Sequence, residues 1–365
     1  MGPGRNRFGC LAKALALGLA AVSPAHAAEK LGSFPVDPAQ VSVAGFSSGA
    51  FMANQLHIAH SAELMGAAMI AGGLYGCAVQ EVASDGVVAL ASQAFGPCVR
   101  IPSMLDDVAT YESRIEQLAA KGWIDPPSNL ARTRVYFFTG GSDAMVASEV
   151  VEKGKALYDA LGVPAGAIIF EDRSGRAAEV GHAWVTKAFG AECSANKAPF
   201  VNNCLYDQAG AELNAIYGPN LQLPGATASG RIVAFDQTGF VPGRAARANG
   251  LSDTGYLYVP RACEQGAAAP CRLQVLLHGC TQSAEVLGDL FLTKIGVDEW
   301  ADANRILVLY PQAHAAAPAE TRGFGNANPW GCWNWWGYGN DRQYLTRSGV
   351  QITAIWGMIQ RLEGK

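Results

Sequence analysis

The pentapeptide Gly45-Phe46-Ser47-Ser48-Gly49 constrains the fold of this chain more than any other feature. It follows a short β-rich run at residues 40–44 and leads into AFMANQLHIAHSAEL, whose apolar residues have helical spacing. A strand, a sharp turn and a helix in this order are typical of a nucleophile elbow, in which small glycines let the backbone turn and hold a serine hydroxyl above the sheet edge. The pattern alone is weak, but its setting makes Ser47 a strong candidate nucleophile.

Two further strand ends carry the partners that such a serine needs. Residues 134–139 (RVYFFT) are typical of a buried strand and are followed by Gly-Gly-Ser and Asp143. The next apolar run, residues 167–170 (AIIF), is followed after a polar loop by Gly181 and His182. Serine, aspartate and histidine thus each follow a strand, in the chain order of α/β-hydrolase triads. We predict that Ser47, Asp143 and His182 form a catalytic triad.

Each partner has a plainer interpretation that stays open at this point. Asp143 is also suited to capping a helix or a turn. His182 is also suited to a surface loop, in which case the base would be one of His57, His60, His278 and His314. The first two lie on the elbow helix, too close in sequence to reach over Ser47, and His314 fits the triad order less well.

A second cluster comes much later in the chain. The apolar run at residues 272–277 (RLQVLL) is followed directly by His278-Gly279-Cys280, which looks like an oxyanion-hole loop. In ordinary α/β-hydrolases this loop precedes the serine, whereas here it follows by 280 − 47 = 233 residues. Joining the last helix-like segment, SGVQITAIWGMIQRLEG, to residue 40 restores the ordinary order. Because chain termini of compact domains often lie close together, we predict one circularly permuted α/β-hydrolase domain at residues 28–365, with the oxyanion-loop segment at about 255–365. The alternative is an HG turn without a catalytic role.

The first 27 residues are typical of a secretory signal peptide. Arg5, Arg7 and Lys13 accompany an apolar stretch that ends in Ala-His-Ala, so we expect cleavage near Ala27 and a secreted protein, extracellular or periplasmic. No later segment reaches the roughly 20 apolar residues of a spanning helix, so no membrane anchor is expected. The net charge of −4, with scattered Lys and Arg, argues against nucleic acid as a partner. No linker sets apart a separate binding domain.

Eight cysteines follow the signal, an even number that suggests four disulfides in an oxidising compartment. Eight cysteines allow 105 pairings, and the sequence does not choose among them. Proximity favours three pairs and leaves the fourth: Cys77–Cys98, Cys193–Cys204, Cys263–Cys271 and Cys280–Cys332. Free buried thiols or a metal site are the alternatives, although no cysteine or histidine cluster has zinc-ligand spacing.

Four tryptophans lie within seven residues, among glycine, asparagine and cysteine: Trp330, Trp333, Trp335 and Trp336. Such rings on a loop suit an apolar polymer, because tryptophan buries a large area at a small entropic cost. The alternative for Trp330, Trp335 and Trp336 is that they pack under the loop as local core.

Together these motifs resemble one family. GFSSGAFMANQLHIAHS, GYLYVPRAC, CRLQVLLHGCTQS, LVLYPQA and NPWGCWNWWG are similar to segments of secreted, single-domain, circularly permuted polyhydroxybutyrate (PHB) depolymerases, over about residues 41–361. The resemblance implies Ser47, Asp143 and His182 as the triad, and backbone N–H groups of Ser48 and Cys280 as the oxyanion hole. It also implies that Trp333 lines a substrate subsite, which a Cys280–Cys332 disulfide would hold beside the oxyanion loop.

The expected activity is hydrolysis of poly(3-hydroxybutyrate), or of related short-chain polyhydroxyalkanoates, to oligomers and monomers through an acyl-enzyme. The expected partners are a polyester surface or soluble hydroxyalkanoate oligomers, and the chemistry requires no metal or organic cofactor. A feruloyl or acetylxylan-type esterase on the same scaffold is the nearest alternative. A non-catalytic polymer-binding protein and a peptidase are more distant ones. Oligomeric state does not follow from the sequence.

Overall fold

The computed structural model describes residues 1–2, 28–172, 174–264, 266–267, 269–316 and 327–365. The predicted signal peptide at residues 1–27 therefore falls outside the described residues, except for its first two positions. In the part of the chain that is described, no helix has both the length and the apolar character required to cross a membrane.

The fold is a mixed α/β arrangement around one large sheet, as the sequence predicts. Eight strands of the described chain form this sheet in the order β10-β11-β13-β12-β1-β2-β5-β6. They are β1 (Val36–Phe46), β2 (Gly66–Ile70), β5 (Arg134–Phe138), β6 (Ile168–Glu171), β10 (Arg231–Asp236), β11 (Thr254–Val259), β12 (Cys271–Leu277) and β13 (Ile306–Tyr310). The six strands from β13 to β6 run parallel, whereas β11 is antiparallel to both of its neighbours.

Two small sheets and a set of helices complete the described fold. The small sheets pair β3 (Val79–Val82) with β4 (Val87–Ala89), and β7 (Trp184–Thr186) and β8 (Ala191–Glu192) with β9 (Val201–Asn203). The helices are α1 (Ser48–Ala59), α2 (Ala91–Phe95), α3 (Val108–Ala120), α4 (Ser148–Ala160), α5 (Gln208–Tyr217), α6 (Ala284–Leu287), α7 (Leu290–Thr293), α8 (Val297–Asn304) and α9 (Val350–Leu362).

Strand β1 illustrates why the central strands are apolar almost throughout. Val41 and Val43 contribute to the core on one face of the sheet, and Ala44 and Phe46 contribute to the core on the other. Side chains alternate between faces along a strand, so a strand covered on both faces must be apolar at nearly every position. The buried exception, Ser42, hydrogen-bonds the Tyr217 hydroxyl at 2.7 Å.

The two ends of the described domain meet beside the sheet. The Phe34 N–H donates to the Leu362 carbonyl at 2.8 Å, and Arg361 Nε donates to the Leu31 carbonyl at 2.9 Å. Strand β1 lies between β2 on one side and β12, from the C-terminal third, on the other. This arrangement is compatible with the predicted permutation, which stays a prediction.

Disulfides tie several loops to this frame. The described residues contain four of them: Cys77–Cys98, Cys193–Cys204, Cys263–Cys271 and Cys280–Cys332. The first three are the pairs that proximity in sequence favours, and the fourth is the pair that they leave, so all eight cysteines of the described residues are in disulfides.

Candidate active site

Ser47 occupies a tight turn between β1 and α1 and has the left-handed φ of 55° (ψ −119°). Glycine is required at both flanking positions because backbone carbonyl oxygens lie very close to each Cα. A Cβ at Gly45 would lie 2.1 Å from the Gly49 carbonyl oxygen, and one at Gly49 would lie 2.2 Å from the Leu277 carbonyl oxygen. Neither position tolerates a side chain, because real Cβ atoms do not approach other heavy atoms so closely. The elbow therefore holds the serine in a conformation that few residues adopt.

His182 connects Ser47 to Asp143. Its Nε2 lies 2.9 Å from Ser47 Oγ, and its Nδ1 lies 2.8 Å from Asp143 Oδ2. Both side chains of the His–Asp pair are nearly excluded from solvent, at 5% and 1% exposure. With the proton on Nδ1 donated to the carboxylate, Nε2 is free to accept the Ser47 hydroxyl proton.

Asp143 also anchors its own loop. Its Oδ1 accepts the backbone N–H groups of Met145 and Val146, each at 2.8 Å. The turn-residue interpretation and the triad prediction are thus compatible, because one carboxylate oxygen serves the turn and the other faces His182.

Asn196 links the loops of Asp143 and His182, and sequence reasoning missed it. Its Oδ1 accepts the backbone N–H groups of Ala144 and His182, both at 2.8 Å, and its Nδ2 donates to the Ser142 carbonyl at 3.0 Å. No motif surrounds this residue in the sequence. Its role depends on contacts that span 52 and 14 residues of chain, which a local pattern does not reveal.

The other described histidines have structural partners. His57 Nδ1 lies 2.8 Å from the Tyr158 hydroxyl, and burial together with Arg132 lowers its pKa to about 3. His60 stacks on Trp356 with ring centroids 3.8 Å apart. His314 Nδ1 lies 2.6 Å from Glu285 Oε2.

His278 holds the loop that follows β12. Its Nε2 accepts the Ala313 N–H at 3.0 Å, and its Nδ1 lies 2.6 Å from the Gly279 carbonyl. Burial lowers the pKa of His278 to about 4, so the ring is neutral near pH 7, as an Nε2 acceptor requires. The HG turn is therefore a fixed element of the fold.

The cavity beside Ser47 is also lined by Cys280 of this loop and by Ser48 of the elbow. Ser48 and Cys280 both line the cavity around the serine, and neither backbone N–H donates to an acceptor among the described residues. Ser48 is the first residue of α1, whose N-terminus favours negative charge. The loop is fixed to residues 330–336, which we call the tryptophan segment, by the Cys280–Cys332 disulfide. It is also held by a 2.6 Å hydrogen bond from the Thr281 N–H to the Trp330 carbonyl.

The cavity has a volume of about 480 Å³ and is mainly apolar. Its described lining combines the elbow, the loops of Asp143 and His182, the α2 region and the tryptophan segment: Phe46, Ser47, Ser48, Phe51, Phe95, Val99, Arg100, Met145, Val146, His182, Phe200, Cys280, Thr281, Trp330, Cys332 and Trp335.

The tryptophans are arranged differently from the prediction, which favoured Trp333 as the subsite ring. Trp333 is fully buried behind the lining, where its Nε1 donates to the His278 carbonyl at 2.9 Å. Trp330 and Trp335 line the cavity instead, and Trp330 is 53% exposed. Trp336 packs on Phe95 and Tyr338 as local core. Trp333 therefore supports the loop that follows β12 from behind, and Trp330 and Trp335 form part of the cavity wall.

No protein-family model matches the chain. The chain is 35% identical over 359 residues to a poly(3-hydroxybutyrate) depolymerase of Delftia acidovorans, covering 98% of this chain and 66% of that protein. It is 35% identical over 357 residues to a polyhydroxybutyrate depolymerase of Talaromyces funiculosus, covering 95% of each. The chain thus spans somewhat less than two thirds of the bacterial relative and nearly all of the fungal one.

Two solved structures are similar over the whole fold. A PHB depolymerase from Penicillium funiculosum and a PHB depolymerase complexed with an R3HB trimer each match with a TM-score of 0.78 and 32% identity. Each match covers 92% of this chain and 99% of the solved one.

Proposed function

This chain is a member of the polyhydroxybutyrate depolymerase family, and we propose that it hydrolyses the ester bonds of poly(3-hydroxybutyrate) or of related short-chain polyhydroxyalkanoates to oligomers and monomers. The observation that carries the proposal is the hydrogen-bonded chain of side chains Ser47–His182–Asp143 at the base of an apolar cavity. A serine activated by a buried His–Asp pair performs acyl transfer, and an apolar cavity admits an uncharged, methyl-bearing polyester.

Acylation starts at Ser47 Oγ, which attacks the ester carbonyl carbon while His182 Nε2 takes the hydroxyl proton. The carbon–alkoxy bond then breaks, and the same proton passes to the leaving alcohol oxygen. Asp143 keeps the proton on Nδ1 and stabilises the imidazolium. In the second half, a water molecule attacks the acyl-enzyme carbonyl carbon while His182 Nε2 takes its proton. The proton then passes to Ser47 Oγ as the acyl–oxygen bond breaks and the free acid is released.

The oxyanion of the tetrahedral intermediate needs donors that are already in place. We assign this role to the Ser48 and Cys280 backbone N–H groups, which line the cavity and have no other acceptor among the described residues. A donor of this kind lowers the barrier by about 3 kcal/mol. His278 and the Cys280–Cys332 disulfide hold the second donor in position.

The rim of the cavity gives the protein an apolar face for a solid polymer. Phe95, Met145 and Trp330 line the cavity and are 42%, 46% and 53% exposed. Large exposed apolar side chains that are grouped at one mouth are typical of a binding surface. We assign them to contact with the polyester chain as it enters.

Export is part of the proposal, because a solid polymer does not enter the cell. The N-terminal sequence has the features of a signal peptide, and four disulfides suit an oxidising compartment.

The test is release of 3-hydroxybutyrate monomer and dimer from polyhydroxybutyrate film by the purified protein beside Ser47→Ala. We expect release by the parent and a loss of about 10⁵-fold or more in the variant, since the attacking oxygen is absent. Methyl ferulate and acetylated xylan serve as comparison substrates. Turnover of these esters without release from film would exclude the depolymerase proposal and favour a carbohydrate esterase.

A further inference from the structure

One charged side chain lies among the apolar residues of the cavity wall. Among the described lining residues there is one arginine, Arg100, and there is no lysine, aspartate or glutamate. Its side chain forms no hydrogen bond or ion pair with a described residue, and the residue is exposed. An arginine without a carboxylate partner, placed beside an otherwise uncharged cavity, offers five N–H donors to a ligand.

The backbone around Arg100 is held firmly to the site. The Arg100 N–H donates to the Gly96 carbonyl at 2.8 Å, and the preceding residue, Val99, accepts the Ala147 N–H at 2.7 Å. The Cys77–Cys98 disulfide lies two residues away. The guanidinium therefore extends from a fixed point on the wall that also carries Met145 and Val146.

The chemistry of the substrate indicates what this cation meets. The interior of a polyhydroxyalkanoate chain is neutral, and each chain carries a single anionic group, the carboxylate at one end. In ester hydrolysis the acyl part bears the hydroxyl end of the chain, and the departing alcohol part bears the carboxyl end. A guanidinium matches a carboxylate in shape and charge.

We propose that Arg100 binds the terminal carboxylate of the departing portion and so makes the enzyme selective for chain ends and soluble oligomers over chain interiors. The proposal rests on the proposed function and assigns Arg100 as a specificity-determining residue for it. The bond that breaks is the one between the carbonyl carbon and the alkoxy oxygen of the departing portion, which leaves as a hydroxy acid with its carboxylate intact.

The experiment compares two forms of one substrate: the 3-hydroxybutyrate trimer with a free carboxylate and its methyl ester, whose end is neutral. For the parent, kcat/KM should be about fivefold higher for the free acid, since an arginine–carboxylate contact at a partly exposed site is modest. Arg100→Met should remove this preference through a higher KM for the acid, with a clearly smaller change for the methyl ester. Arg100→Lys should retain part of it, and added salt should reduce it in the parent.

A matched control separates local contact from overall charge. Arg261 is exposed and follows the end of β11 that lies beside the start of β13, at the opposite end of the sheet from Ser47. Arg261→Met removes the same charge and should keep the parent preference. Equal loss in Arg261→Met, or an equal change for both trimers in Arg100→Met, overturns the inference.

The outcome also distinguishes this inference from the proposed function. A parent that hydrolyses both trimers with no preference keeps the depolymerase function and rejects the role of Arg100. A parent that hydrolyses neither trimer nor film rejects both.

Discussion

The floor and the mouth of the cavity are built differently. On the floor, the side chains of His182 and Asp143 are nearly excluded from solvent, and each residue is fixed by further hydrogen bonds. At the mouth, Phe95 and Trp330 are about half exposed, and their rings meet edge to face with centroids 6.0 Å apart. We therefore expect the floor to set the rate of chemistry on any ester and the mouth to set which ester is presented to it.

The largest expected effect that tests this division is at Asp143. Asp143→Asn keeps an Oδ1 that accepts the Met145 and Val146 N–H groups, so the turn should survive. Its amide no longer provides an anion for His182 Nδ1–H, and kcat should fall about 10⁴-fold on film and on small aryl esters alike.

The control for this change is Asp107→Asn, at a residue that caps α3 by accepting the Thr110 N–H at 2.8 Å. It is the same chemical substitution at a purely structural cap, so activity should stay within about twofold of the parent. Similar small losses in both variants would show that Asp143 is only a turn residue, and the proposed triad would fall.

Asn196 tests whether the floor depends on residues that do not touch substrate. Asn196→Ala removes the acceptor shared by the Ala144 and His182 N–H groups, so the two loops should lose their relative alignment. We expect kcat to fall about tenfold on every ester, with KM nearly unchanged.

Asn304→Ala is the matched control, because Asn304 also joins two segments: its Oδ1 accepts the Gln222 N–H, and its Nδ2 donates to the Gln222 and Trp300 carbonyls, just before the start of β13. Thermal unfolding of both variants should be measured beside kcat. If the two variants lose activity in step with stability, Asn196 supports the loop in general and does not position the triad.

The floor was far more accessible to sequence reasoning than the mouth. The elbow could be predicted because its requirements are local: a turn that excludes side chains at Gly45 and Gly49 leaves a glycine pattern between a strand and a helix. The HG turn after β12 was visible for the same reason. Asn196 and Arg100 were not, since their roles depend on segments that meet only in the folded chain.

The tryptophan segment shows the limit most clearly. Regular strands and helices have a period that assigns side chains to faces, but the loop around residues 330–336 has none. The sequence could therefore predict aromatic rings near the loop that follows β12 without telling which ring faces the cavity. Trp333, adjacent to the disulfide, is fully buried, Trp335 and Trp336 are 5% and 6% exposed, and Trp330 is 53% exposed.

The smallest expected effect lies at this exposed ring and is the one that most sharply separates mouth from floor. Trp330→Ala leaves the hydrogen bond from the Thr281 N–H to the Trp330 carbonyl in place, because that contact belongs to the backbone. The loop that carries Cys280 should therefore keep its position, and hydrolysis of a small aryl ester should change less than about twofold. Release from film should fall about fivefold, corresponding to roughly 1 kcal/mol of lost apolar contact. Leu223→Ala, which removes a side chain that is 82% exposed and is not part of the described cavity lining, should leave both rates unchanged. A parallel fall on film and on the small ester in Trp330→Ala would mean that the ring acts on the floor, and the division between presentation and chemistry would not hold.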